Sequence, residues 1–279
     1  MKQDPDINET SQMTVPLQVQ DVSAGYGAHT IVQGASIQFD ANTLTVLLGP
    51  NGSGKSTLLS TMARLLRPSA GSVLLHGRAI HDMPTKAAAS QLGLLPQAPV
   101  LPESMTALDL VSFGRHPHLG MLRRWSEADS TAVHHAMELT GTLAFASRPV
   151  DSLSGGQRQR CWIAMALAQE TGVILLDEPT TFLDLKYQVD IMELLHTLVR
   201  EHNRTIVVIL HDLNLALSYA DRLVLMKDGH IRANLPDPGT CTPAIIKDVF
   251  DLDVITIANP VEGGRPIFMP GRGTGQGTP

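Results

Sequence analysis

Three short stretches of the chain are near-continuous apolar runs: Thr45-Val46-Leu47-Leu48, Val173-Ile174-Leu175-Leu176 and Ile206-Val207-Val208-Ile209-Leu210. Runs of this length without alternation predict strands buried on both faces, as in a parallel sheet covered by helices. Helical spacing appears between them. Leu58, Leu59, Met62, Leu65 and Leu66 share one face, with Pro68 expected to stop the helix, and Ile191, Leu194, Leu195, Leu198 and Val199 form a second stripe. Residues 17 to 39 alternate more loosely and contain turn residues, which predicts an antiparallel β region. Between Gln97 and Ser154 strand signals vanish and helical stretches punctuated by Pro and Gly take over, which predicts a helical subdomain inserted into an α/β core.

Each apolar run ends in polar residues. Ligands of parallel α/β sheets bind beyond the carboxyl ends of the strands, so the candidates are Gly49 onward, Asp177-Glu178 and His211-Asp212. Residues 49 to 57 read GPNGSGKST, that is Gly49, Pro50, Asn51, Gly52, Ser53, Gly54, Lys55, Ser56 and Thr57. A glycine-rich turn between a buried strand and a helix lets backbone N–H groups close around phosphate oxygens at the positive helix end. Lys55 is then placed for β- and γ-phosphates and Ser56 for Mg²⁺. Two acids after a strand are by themselves more often a capping turn. Beside a phosphate loop they read as a pair, Asp177 holding Mg²⁺ and Glu178 polarising an attacking water. His211 ends a third strand at the same edge, where an imidazole can contact a γ-phosphate.

Composition narrows the class. Among 279 residues, 43% are hydrophobic and 17% charged, ordinary for a globular chain, and no apolar run approaches the length that crosses a bilayer. A net charge of −6 argues against a protein built to hold a nucleic-acid backbone. Cys161 and Cys241 form no CxxC or Cys/His cluster, so neither a disulfide framework nor a zinc site is expected. Residues 1–15 lack the apolar core of a signal peptide and 271–279 are glycine-rich; both are expected to be flexible tails. Arg115, His116, His118, Arg123 and Arg124 form the one basic cluster, open to two readings, a solvated loop or a partner-binding surface.

Leu153-Ser154-Gly155-Gly156-Gln157 spells LSGGQ. Alone it is a helix start with a capping box. Together with the loop, the acids and His211 it makes the chain resemble the ATP-binding cassette family from about Leu17 to Pro270. The resemblance implies a P-loop NTPase cassette over 16–270, an α/β fold with a mostly parallel sheet, an N-terminal antiparallel β region and a helical insert at about 98–170. It implies hydrolysis of ATP with Mg²⁺, with Lys55, Glu178 and His211 catalytic. It further implies that Tyr26 stacks on adenine, that Gln97 is the Q-loop glutamine contacting Mg²⁺, and that Asp184 is the D-loop acid. ATP would lie between the phosphate loop of one copy and Ser154, Gly155, Gly156 and Gln157 of the other in a head-to-tail homodimer.

FGRHPHLGMLRRW, RQRCWIAMALAQET, DEPTTFLDLKYQVDIMELL and NPVEGGRPIFMP are similar to the ATPases of iron-siderophore importers, the ferric-enterobactin type in particular. Met165 and Phe182, where many cassettes carry Arg and a small residue, agree with that subgroup. Two permease subunits, a substrate-binding protein feeding them, and a peripheral position on the cytoplasmic face of the inner membrane follow as expectations. Residues 97 to 124 are the expected permease contact. Haem and cobalamin importers share most of the pattern. Cassettes of DNA repair or translation usually carry coiled-coil insertions, zinc modules, tandem cassettes or basic arms, and none is apparent.

Overall fold

The computed structural model describes residues 15–97, 104–119, 124–261 and 264–271. The two expected tails, apart from Val15 and Gly271, lie outside the described residues, as does Arg123.

The chain opens with a hairpin of β1 (Leu17–Tyr26) and β2 (His29–Phe39), in which Leu17 faces Phe39 and Tyr26 faces His29. Along β1 the buried positions are Leu17, Val19, Val22 and Ala24, so the alternation changes phase between Val19 and Val22. A bulge sits there, with Asp21 at φ 48°. After β3 (Leu44–Leu48) and α1 (Lys55–Met62), β4 (Ala70–Leu75) and β5 (Arg78–Ala79) complete an antiparallel sheet of order β2-β1-β4-β5.

Then follow α2 (Thr85–Ala89), β6 (Leu92–Leu95), α3 (Ala107–Ser112), α4 (Glu127–Leu139), α5 (Gly155–Ala168) and β7 (Val173–Leu176). The remaining elements are α6 (Leu185–His202), β8 (Thr205–Ile209), α7 (Leu213–Tyr219), β9 (Arg222–Lys227), β10 (His230–Leu235), α8 (Pro243–Phe250), β11 (Val254–Ile257) and β12 (Ile267–Pro270). The central sheet runs β10-β9-β3-β8-β7-β6, parallel from β9 to β6, with β10 antiparallel at one edge.

Every residue of β3, β7 and β8 is buried. Successive side chains point to opposite faces, so the three strands feed two cores. Val46, Leu48, Ile174, Leu176, Ile206 and Val208 join the core beneath α5 and α6. Leu47, Val173, Leu175, Val207 and Ile209 join the core shared with α1 and the antiparallel sheet. Each such side chain contributes roughly 1.5–3 kcal/mol through burial, and the three strands are apolar at every position but Thr45 and Thr205.

Between β6 and β7, α3, α4 and α5 pack on one another. Each starts on a reciprocal capping box: Thr106 with Asp109, Ser126 with Asp129, and Ser154 with Gln157. Among the described residues no helix is long and apolar enough to cross a membrane.

Two sequence expectations are corrected, and one hairpin goes unmarked in the sequence. The first helix does not run on to Pro68. It ends at Met62, Arg64 turns left-handed at φ 65°, and Leu65 is 70% exposed, so the apolar spacing outlasts the helix. Arg115 belongs neither to a solvated loop nor to an exposed partner surface. It is 3% exposed and binds Asp129 at 3.0 Å, Glu170 at 2.6 Å and the Ala168 carbonyl at 2.7 Å, tying the end of α5 to α4. The segment after α8 carries the β11–β12 hairpin, which its sequence pattern did not reveal. The Asn214 amide pins it by donating to Phe268 O at 3.0 Å and accepting from Phe268 N at 2.9 Å.

Candidate nucleotide site

The loop from Gly49 to Gly54 joins β3 to α1 and is shaped by backbone that side chains would obstruct. A Cβ on Gly49 would stand 2.1 Å from the Met226 carbonyl oxygen of β9. Gly54, at φ 98°, is the N-cap of α1 and leaves that helix end without a side-chain cap. The first N–H groups of α1 are therefore free to meet an anion. Asn51 and Gly52 are exposed, whereas Ser53 is buried and its carbonyl accepts from Gly229 N at 3.1 Å. Gly229 O in turn accepts from Gln33 N at 2.9 Å, so β2 is fastened beside the loop. Tyr26 stands half exposed at the tip of that hairpin.

Lys55 is 5% exposed and its ammonium is folded into the loop, donating to Gly49 O at 2.8 Å and Pro50 O at 3.0 Å. Burial pulls its pKa down, and the carboxylates of Glu178 and Asp177 oppose that pull. Ser56 donates to Asp177 Oδ1 at 3.1 Å. Burial raises the Asp177 pKa, the Ser56 hydrogen bond lowers it, and Glu178 raises it again.

Glu178 follows at φ 52°, a left-handed conformation that costs a non-glycine residue roughly 1–3 kcal/mol and collects at functional sites. Its Oε1 lies 2.7 Å from His211 Nε2. Its Oε2 accepts from Gln97 Nε2 at 2.6 Å and from Thr181 Oγ1 at 3.0 Å. Gln97, Asp177-Glu178 and His211 thus leave neighbouring parallel strands at their carboxyl ends, beside the loop after β3. Thr181 was not singled out from the sequence; a threonine three residues after an acid in a turn is too common to be a signal.

Ser154 and Gln157 close their capping box at the start of α5, with Ser154 N donating to Gln157 Oε1 at 3.2 Å and Gln157 N to Ser154 Oγ at 3.3 Å. Ser154 and Gly155 are exposed. Gly156 is buried against the ring of Tyr187, where a Cβ would come within 2.4 Å of Cδ1. Among the described residues no hydrogen bond joins Ser154, Gly155, Gly156 or Gln157 to the phosphate loop of the same chain. Phe182, 98% exposed, and the exposed Asp184 flank the half-buried Leu183 just before α6.

A hard divalent cation fits the pairing of Ser56 hydroxyl with Asp177 carboxylate. Among the described residues no group of three or more His, Cys, Asp or Glu could hold a metal. A cation held there would take few oxygens from the protein and the rest from phosphate and water, a set that suits Mg²⁺.

The family model described as "ABC transporter" matches residues 32–181, more than half of the chain. The chain is 48% identical over 240 residues to the achromobactin transport ATP-binding protein CbrD of Dickeya dadantii, covering 86% of this chain and 89% of that one. It is 42% identical over 254 residues to the ferric enterobactin transport ATP-binding protein FepC of Escherichia coli, covering 91% and 93%. Among solved structures it is similar to an inward-facing transporter proposed to be of the metal-chelate type, with TM-score 0.81 and 28% identity over 92% of this chain and 98% of that one. The dimeric bacterial ABC transporter cassette MJ0796 matches with TM-score 0.69 and 29% identity over 78% and 97%. The chain belongs to the ABC transporter family, as a subunit that binds and hydrolyses ATP to power transport.

Proposed function

We propose that this chain drives the import of a ferric siderophore, hydrolysing Mg-ATP at the carboxyl edge of its central sheet. The observation that carries the catalytic part is the meeting of His211, Gln97 and Thr181 on the Glu178 carboxylate beside the Ser56–Asp177 pair. The transport of achromobactin and of ferric enterobactin named for the two relatives supports the cargo.

In this reading Gly49, Pro50, Asn51, Gly52, Ser53, Gly54 and Thr57 cradle the phosphates, and Tyr26 stacks on the adenine. Lys55 leaves the loop carbonyls for the β- and γ-phosphates. Ser56, Asp177 and Gln97 would hold Mg²⁺, which when bound neutralises charge across the phosphates. Glu178 accepts a proton from the attacking water through Oε1, and His211 orients that water against the γ-phosphate.

The cassette spans 16–270, its helical insert about 98–170. Two copies pair head to tail, so that Ser154, Gly155, Gly156 and Gln157 of one face the nucleotide of the other, with Asp184 at the seam. The exposure of Ser154, Gly155 and Phe182, and the dimeric state of the cassette MJ0796, support that pairing. The dimer docks peripherally beneath two permease subunits on the cytoplasmic face of the inner membrane, with residues 97–124 at the contact and a substrate-binding protein delivering the cargo outside. Coupling requires that ATP bind the closed dimer more tightly than the open one.

Iron-limited growth of a deletion strain supplied separately with siderophores, haem or cobalamin tests the cargo. Loss of growth on a siderophore alone supports the proposal; loss confined to haem or to cobalamin dependence refutes it.

A further inference from the structure

We infer that Thr181 is a positioning residue for ATP hydrolysis, its hydroxyl holding the Glu178 carboxylate with Oε1 turned toward the attacking water. The inference rests on the proposed role of Glu178 as the base.

A carboxylate rotates readily about its last torsion, and each oxygen offers two lone pairs. Oε2 of Glu178 receives two donors, the amide of Gln97 at 2.6 Å and the hydroxyl of Thr181 at 3.0 Å. Two donors fill that oxygen and leave Oε1 to His211, 2.7 Å away, with one lone pair for a water proton. The two donors differ in what nucleotide does to them. Gln97, exposed and two residues past the end of β6, is assigned to Mg²⁺ in the loaded site and so gives up Oε2. Thr181 cannot leave in the same way, because it sits in the turn that Glu178 begins. Thr181 N donates to Glu178 O at 3.3 Å, Pro179 restricts the backbone between them, and Thr180 is 7% exposed.

Among the described residues, Thr181 is therefore the donor that remains on Oε2 when Gln97 departs. The left-handed backbone of Glu178, at φ 52°, aims the side chain; the hydroxyl sets the last rotation. Thr181 need not touch water or phosphate to do this, and it is not itself catalytic.

Steady-state ATPase measurements on the full-length chain test the inference, with Thr181→Val removing the hydroxyl at nearly constant shape and Thr181→Ser retaining it. Loss of one hydrogen bond to the base predicts a kcat about tenfold lower in T181V, with KM for ATP within about twofold of wild type. T181S restores kcat to within about twofold. In an E178Q background, adding T181V leaves the residual rate unchanged, because the hydroxyl acts only through the carboxylate. Wild-type kcat in T181V, a raised KM as its main effect, failure of T181S to rescue, or a further loss on top of E178Q would each overturn it. Full turnover in E178Q alone would instead remove the reading of Glu178 on which the inference rests.

Discussion

Ser56, the second residue of α1, donates its hydroxyl to Asp177 Oδ1 at 3.1 Å, joining residues 121 positions apart in the chain. The hydroxyl comes from the helix that follows the phosphate loop and the carboxylate from the end of β7. Two buried strands with β8 between them carry the pair into place, so packing of apolar side chains sets the spacing of the polar ones.

Burial raises the Asp177 pKa above the ordinary carboxylate value. A carboxyl with a raised folded-state pKa destabilises the folded chain as pH climbs past the unfolded value near 4, and does so fully above the folded value. Asp177→Asn removes that penalty and keeps an acceptor for Ser56. Thermal unfolding of the nucleotide-free protein should therefore show D177N melting a few degrees above wild type at pH 7, the gap closing near pH 4. Addition of Mg-ATP should then stabilise wild type more than D177N, whose site lacks one of the three cation-holding groups.

Arg115 to Ala takes from the buried Asp129 carboxylate a guanidinium 3.0 Å away, and from Glu170 and the Ala168 carbonyl their shared donor. Urea unfolding should place R115A at least about 2 kcal/mol below wild type.

A methyl on Gly156 would meet Tyr187 Cδ1 at 2.4 Å, so in Gly156→Ala either the Tyr187 ring or the packing of the two helix starts must shift. Overpacking of this kind costs about 1–3 kcal/mol. In a double-mutant cycle read by unfolding, the cost of G156A should fall to less than half once Tyr187 is already alanine.

Much of this was legible in the sequence, for identifiable reasons. β3, β7 and β8 are buried on both faces, and that leaves an unmistakable apolar run, with the site residues at its end. The GPNGSGKST loop and the Ser154–Gln157 cap are local chemistry and are readable locally. What was missed depends on the third dimension or on a single backbone turn. Arg115 finds partners 14 and 55 positions away, so its charge suggested a surface. Leu65 and Leu66 keep the helical spacing although Arg64 has already turned left-handed. In β11, Ile255 and Ile257 are exposed while Phe268 of β12 is buried, so the hairpin has no burial alternation along β11 to betray it.

Glu178, held by Gln97, Thr181 and His211, is proposed as the base for ATP hydrolysis at this sheet edge. The decisive experiment pairs ATP turnover with ATP affinity for wild type and Glu178→Gln. A fall in turnover of at least about 100-fold in E178Q, with affinity for Mg-ATP within a few-fold of wild type, is the predicted result. Equal turnover in the two proteins would contradict it.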